Sequence, residues 1–345
     1  MSTPQEHQVA QARHRHARTL ARRLGVAASL AVATVAGALA SGSSAQEGTG
    51  AGGTSPAMAE PPTAAEARAW EQAFLAREPA KQAVLPPAPA KAPGGNLFPK
   101  TKVLSLYGAA GGFGIIGRKS LNGAAKKLRK QVQPYRDQSK EPVIKAFDLV
   151  SVIATSCSGP KDKCRTRVDK DTLRRYHQKI REMRGRLILD IQPGRANVVD
   201  EIDRLRPLIQ APDVDVALDA EWNMGPREEP GEDLGSLTAK KINRATNMIE
   251  HIVKNHDLPP KILIVHDFRE DSVKRERKIR RPSKVDVTLN FDGIGSPSAK
   301  RAGYKKLSFK GLFNGFSLFY ELDDNMMSPN QVLDLRPEPD YVMYQ

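Results

Sequence analysis

Val214-Asp-Val-Ala-Leu-Asp-Ala-Glu-Trp222 is an alternating, largely apolar run that ends in two carboxylates and an indole. Side chains alternate across a strand, so Val214, Val216, Leu218 and Ala220 share one face and Asp215, Ala217, Asp219 and Glu221 the other. In a parallel α/β barrel the first face packs beneath helices and the second points inward. Asp219 and Glu221 then stand at the carboxyl end of the strand, where such barrels keep their active sites. The stretch predicts a site together with a fold.

Working outward, β-rich runs alternate with helical patterns, which predicts a parallel sheet. The expected strands are Val103–Tyr107, Phe147–Ala154, Leu187–Gln192, Val214–Trp222, Ile262–Phe268, Val285–Asp292, Phe316–Glu321 and Tyr341–Tyr344. Eight is the number that closes a (β/α)8 barrel of the TIM type. Between the strands, Ile242, Ala245, Ile249, Ile252 and Val253 line one face of a helix that ends before Leu258-Pro-Pro260. Asp169 and Asp171 precede another helix, where acids favour its N-terminus.

The competitor is an open, doubly wound sheet. Val103 to Gly117 reads as a strand, a glycine-rich turn and a helix start, and Gly112, Gly114 and Gly117 satisfy G-x-G-x-x-G. That is a dinucleotide fingerprint, and it would make the chain an NAD(P)-dependent oxidoreductase. The acidic ribose partner that should close the next strand is missing from Val152-Ile-Ala-Thr-Ser-Cys157. We therefore read the glycines as a flexible first loop over a barrel mouth and expect no cofactor.

The chain has 345 residues, and residues 1–45 read as a signal peptide. Arg13, Arg15, Arg18, Arg22 and Arg23 make a basic start, Leu24 to Ala40 an apolar stretch, and Ala38-Leu-Ala40 or Ser43-Ser-Ala45 a small-residue cleavage site. An uncleaved anchor is the alternative, and the abundance of Ala and Gly favours cleavage. The expected location is secreted or cell-wall associated. Residues 46–97 read as an Ala/Pro/Gly-rich linker. Within it, Ala64 to Arg77 has Trp70 and Phe74 on one helical face and predicts a short docking helix. Residues 98–345 make the barrel domain, close to the ~250 residues such a domain needs. No further segment reaches the ~20 apolar residues that span a bilayer.

Net charge is +15; five arginines and one glutamate among the first 45 residues account for +4 and leave +11. That balance favours anionic surroundings such as wall polymers or nucleic acid. The densest basic run, Lys274 to Arg281, has no interleaved aromatics and matches no nucleic-acid module, so it reads as a solvated helix face. Cys157 and Cys164 flank a short loop and form either one disulfide or two free thiols.

Strand parity gathers polar side chains at several carboxyl ends. Asp190 and Gln192 share a face, as do Asn290 and Asp292, and Glu321 and Asp323; His266 ends Ile262-Leu-Ile-Val-His266. A single strand-end Asp often caps a helix. Asp190, Asp219, Glu221, Asp292 and Glu321 together are another matter, because burying like charges without chemistry or a cation is costly. Carboxylate-rich mouths suit glycoside hydrolysis, in which one carboxylic acid protonates the leaving oxygen and another serves as nucleophile or base. Asp219-x-Glu221 puts two carboxylates on one face, and an ionised Asp219 would keep Glu221 protonated as a general acid. The second carboxylate is Asp292 or Glu321. Asp190, Gln192, Trp222, His266, Asn290 and Tyr107 are expected to bind substrate. No H-x-x-E-H or similar spacing appears, so no metal is expected.

Leu218-Asp-Ala-Glu-Trp222 resembles the Asp-x-Glu strand end of family 25 lysozymes and, more loosely, of family 18 chitinases. Ala217 stands where the chitinase pattern has a further Asp, Asp190-Ile-Gln-Pro-Gly194 replaces its Gly-Gly strand, and Phe291-Asp292 is similar to its aromatic-Asp pair. Ser105 and Tyr107 stand where the lysozymes carry a first-strand Asp. The core domain also resembles uncharacterised secreted bacterial barrel proteins. The resemblance implies a hydrolase of amino-sugar polymers with Glu221 as proton donor and Asp219 as its partner. The expected function is a secreted glycan hydrolase acting on peptidoglycan or another polysaccharide, with a non-catalytic wall-binding barrel as the alternative.

Overall fold

The computed structural model describes residues 60–77 and 96–345. The expected signal peptide and most of the linker lie outside the described residues. Everything below belongs to the unit Pro62–Gln345.

The first described helix, α1, spans Ala64–Arg77. Then follow β1 (Lys102–Gly108), α2 (Gly114–Arg118), α3 (Leu121–Gln138), β2 (Val143–Ala154), β3 (Arg165–Arg167) and α4 (Lys170–Glu182). The chain continues through β4 (Arg186–Ile191), α5 (Val198–Ile209), β5 (Val214–Asp219), β6 (Leu237–Thr238) and α6 (Ala239–Asn255). It ends with β7 (Lys261–Asp267), β8 (Val273–Lys274), β9 (Val285–Phe291), α7 (Pro297–Leu307), β10 (Phe313–Leu318), α8 (Pro329–Leu333) and β11 (Tyr341–Tyr344).

Strands β1, β2, β4, β5, β7, β9, β10 and β11 pair in parallel, each with the next, and β11 pairs back onto β1. The result is a closed eight-stranded (β/α)8 barrel, and an open sheet is excluded. β3 lies antiparallel on β2, outside the ring. All eight expected strands are the barrel strands, with shifted ends. The run Lys274 to Arg281 is solvent-facing for the most part, but it forms the end of β8 and a 3-10 turn, Glu276–Lys278, in place of a helix.

The helices form where the apolar spacing requires. α6 buries Ile242, Ala245, Ile249, Ile252 and Val253, and Thr238 caps it by accepting the Lys241 N–H. The Asp169 side chain likewise accepts the Asp171 N–H at the start of α4. The amino end of the barrel is closed by buried ion pairs and a plug. Arg186 grips Asp215 through Nε (2.5 Å) and Nη2 (2.8 Å), and Asp286 accepts the backbone N–H groups of Leu97 and Phe98. The Phe98 ring packs on Phe313.

α1 docks on the barrel through the face that Trp70 and Phe74 mark. Phe74 stacks on Tyr176 of α4 at 5.0 Å, and Trp70 meets Phe113 edge-on at 6.0 Å. The glycine-rich loop after β1 is shaped for this contact. A Cβ on Gly112 would enter the Trp70 ring, and one on Gly111, whose φ is +74°, would strike the Trp70 backbone. The glycines thus admit a helix of the same chain. Cys157 and Cys164 form a disulfide that closes the loop between β2 and β3.

Candidate active site

Register brings Asp219, His266 and Asn290 to one level on the adjacent strands β5, β7 and β9. Their side chains are buried in the barrel, at its carboxyl end, with Asp190 from β4 and Asp148 from β2. Tyr107 from β1 completes the ring, its centroid 6.0 Å from that of His266.

His266 is the centre of charge. Its Nδ1 hydrogen-bonds Asp292 Oδ2 at 3.1 Å, and its Nε2 lies 3.6 Å from Asp190 Oδ2, an ion-pair distance outside hydrogen-bond reach. Burial alone would lower the His266 pKa. The Asp292 hydrogen bond and the fields of Asp292, Asp190 and Asp219 outweigh it and hold the imidazole well above its usual value. Asp292 is affected conversely: burial would raise it, but the His266 bond and charge keep it below the usual carboxylate range. The two form an imidazolium–carboxylate pair.

The remaining acids are pushed above the usual carboxylate range. Burial, with the field of Asp190, pushes Asp148 up to about 8. Burial pushes Asp190 to about 6 against the opposing charge of His266. Asp219 is raised well above the normal range, chiefly by burial. Glu221 rises to about 7 through burial and the charge of Asp292. The ionised group that most affects Glu221 is therefore Asp292, where strand spacing pointed to Asp219.

Hydrogen bonds fix the arrangement. Asp219 Oδ1 accepts the Glu221 N–H at 3.1 Å, capping the 3-10 turn Ala220–Trp222 that replaces the expected last turn of the strand. Gln192 donates to Tyr107 Oη (3.2 Å) and Asp219 Oδ2 (3.4 Å), while its own Oε1 accepts the Ala154 N–H. Asn290 donates to Ser317 at 2.8 Å. Both oxygens of Asp190 and one each of Asp148, Asp292 and Asn290 lack a well-formed hydrogen bond, as does His266 Nε2. Buried polar atoms seldom stay unpaired, and these gather around His266. Of the acids, Glu221 and Asp292 are the partly exposed pair, whereas Asp148, Asp190 and Asp219 lie beneath them.

Nine of the ten expected site residues belong to this cluster or its rim. Trp222 is half-buried on the 3-10 turn beside Glu221. Glu321 lies elsewhere: β10 stops at Leu318, and the Glu321 carboxylate sits exposed on the surface, paired with Arg118 of α2. Sequence reasoning missed Asp148 and its partners. Tyr341 donates to Asp148 Oδ2 at 2.6 Å and shares a 2.6 Å hydrogen bond with Ser105. The available signal was one acid within Ala146-Phe147-Asp148-Leu149-Val150, too slight beside strand-end pairs. Among the described residues, no group of three or more His, Cys, Asp or Glu side chains has the geometry to hold a metal ion.

Compared with known proteins, the chain matches no family model, no curated protein and no solved structure, so what it does must be read from this site alone.

Proposed function

We propose that the protein is a glycoside hydrolase acting on a cell-wall or extracellular polysaccharide, with Glu221 as general acid. The observation that carries this reading is the pair of part-exposed carboxylates at the mouth whose surroundings drive their protonation apart. Glu221 holds its proton up to about pH 7, while Asp292 is kept ionised by His266. Two carboxyl groups with opposed protonation are what glycosidic cleavage requires. Glu221 gives its proton to the leaving glycosidic oxygen as the C–O bond breaks. Asp292 attacks the sugar carbon or deprotonates the water that does. Asp219 positions Glu221 through the backbone hydrogen bond and, being raised itself, adds little competing charge.

Beneath this pair the unpaired polar atoms of Asp190, Asp148 and Asn290 form a polar floor to the mouth. Trp222, half-buried on the turn that carries Glu221, offers an indole to a sugar ring. The likeness of Leu218-Asp-Ala-Glu-Trp222 to lysozyme and chitinase strand ends agrees with this chemistry. Reducing-end release from peptidoglycan and a panel of neutral and amino-sugar polymers, with Glu221→Gln in parallel, tests it. Polymer binding without release in either protein would instead favour a wall-binding barrel that does not turn over.

A further inference from the structure

Beside the acidic mouth runs a cavity of about 700 Å3 of opposite character, lined by Lys161, Lys163, Lys241 and Arg244 with Asn197 and Met224. Its walls are the loops that follow β4 and β5 and the disulfide-closed loop Cys157–Cys164. The first two loops also carry Gln192 and Glu221, so the cavity and the mouth share their supports.

The walls are fixed. The Met224 N–H donates to Gly194 O at 2.9 Å, which joins the two strand-end loops. The Arg195 N–H donates to Lys163 O at 2.8 Å, which joins the disulfide loop to them. The Arg195 side chain is 8% exposed and ties Glu228 O at 2.8 Å to the Glu229 carboxylate at 3.0 Å. Arg195 is therefore committed to structure, and the four other cations are free of that task. Lys241 donates to the Asn223 side chain at 3.2 Å and feels the charge of Glu228, but none of the four has an ion pair within 4 Å among the described residues. The one acid on the lining, Asp162, already accepts the N–H groups of Ser158 and Cys164.

Some exposed cations elsewhere are paired, as in Arg174–Asp171 and Lys254–Glu250, and others, such as Lys126, Arg129 and Lys130 on α3, are exposed without an ion pair among the described residues. Lys161, Lys163, Lys241 and Arg244 differ in sharing one rigid concavity, which creates a positive potential that concentrates anions. We propose that this groove binds the anionic groups, phosphate or carboxylate, of a charged glycan whose neighbouring sugar lies in the acidic mouth. The proposal rests on the glycan reading of that mouth and names its substrate class.

The test reads binding and not turnover, so it stands apart from the fate of the hydrolase reading. Full-length protein carrying Glu221→Gln is titrated with polygalacturonate, inorganic polyphosphate and neutral dextran of matched length. The same titrations are run with Lys161, Lys163, Lys241 and Arg244 changed to Gln, and with Lys126, Arg129, Lys130 and Lys140 changed to Gln as a charge-matched control on and beside α3. Both sets are solvent-facing, and circular dichroism checks each fold. The expected result is binding of at least one polyanion over dextran, weakened at least tenfold by the groove changes and less than twofold by the control. Preference for polygalacturonate assigns carboxylate, and preference for polyphosphate assigns phosphate. Equal weakening by both sets, no weakening by the groove set, or no preference over dextran overturns the proposal.

Discussion

His266 Nδ1 lies 3.1 Å from Asp292 Oδ2 at the carboxyl end of the barrel, and each group holds the other charged. The raised imidazole contributes stability that is complete below its unfolded pKa and is lost as pH rises through the folded value. The lowered carboxylate contributes stability that is present above its unfolded pKa and is lost as pH falls through the folded value. The pair therefore stabilises the fold across neutrality. His266→Gln leaves a largely buried carboxylate without its cation, and should cost on the order of 2–4 kcal/mol at pH 7. Urea unfolding measures this, and a change below about 0.5 kcal/mol would deny the pair its central place.

Asp148 gives the opposite pH dependence. Its folded pKa of about 8 lies above any unfolded carboxylate, so the native state binds the extra proton. Stability should fall as pH rises from about 4 towards 8, because ionising this group in the fold is unfavourable. Asp148→Asn keeps an acceptor for Tyr341 and removes the ionisation. The variant should melt at least about 2 °C above wild type at pH 8, a shift on the order of 1 kcal/mol, and the gap should shrink at pH 5. Melting curves that stay parallel across this range would contradict the assignment.

The Arg186–Asp215 pair closes the other end of the barrel, both side chains buried. Asp215→Ala strands a guanidinium there and removes the acceptor of the Ile262 N–H. The expected cost is about 3–5 kcal/mol. Chemical denaturation checks it, and a loss under about 1 kcal/mol would show that water reaches Arg186.

α1 depends on two glycines, Gly111 and Gly112, at which no side chain fits. Gly112→Val should displace the Trp70 ring, seen as a red shift of tryptophan emission in a Trp222→Phe background, with a lower Tm. Unchanged emission would mean that Trp70 does not pack there.

The sequence carried the barrel strands because alternation and β-branched runs set a period of two that barrel closure preserves. The same parity located Asp190, Asp219, His266 and Asn290, whose inward side follows from the pleat. It failed where the strand ended early. Beyond Leu318 the chain turns, the period lapses, and Glu321 is carried to the surface and Arg118. Partners across the barrel were also hidden. Which acid would be held ionised depended on His266 and Asp292, which lie 26 residues apart in sequence and on no common motif. The glycine-rich turn was read as a loop and not as a cofactor site, but what shapes it was hidden for a related reason: Gly111 and Gly112 answer to Trp70, some 40 residues upstream, which no local pattern shows.

The most direct measurement of the central claim is reducing-end release against pH by wild type, Glu221→Gln and Asp292→Asn, on the panel above. The account predicts release by wild type with kcat/KM falling above about pH 7, as Glu221 loses its proton. Both variants should lose at least ~100-fold in rate, the scale of a missing acid or base, while still binding polymer. Release that persists in Glu221→Gln, or none from any polymer by wild type, would contradict it.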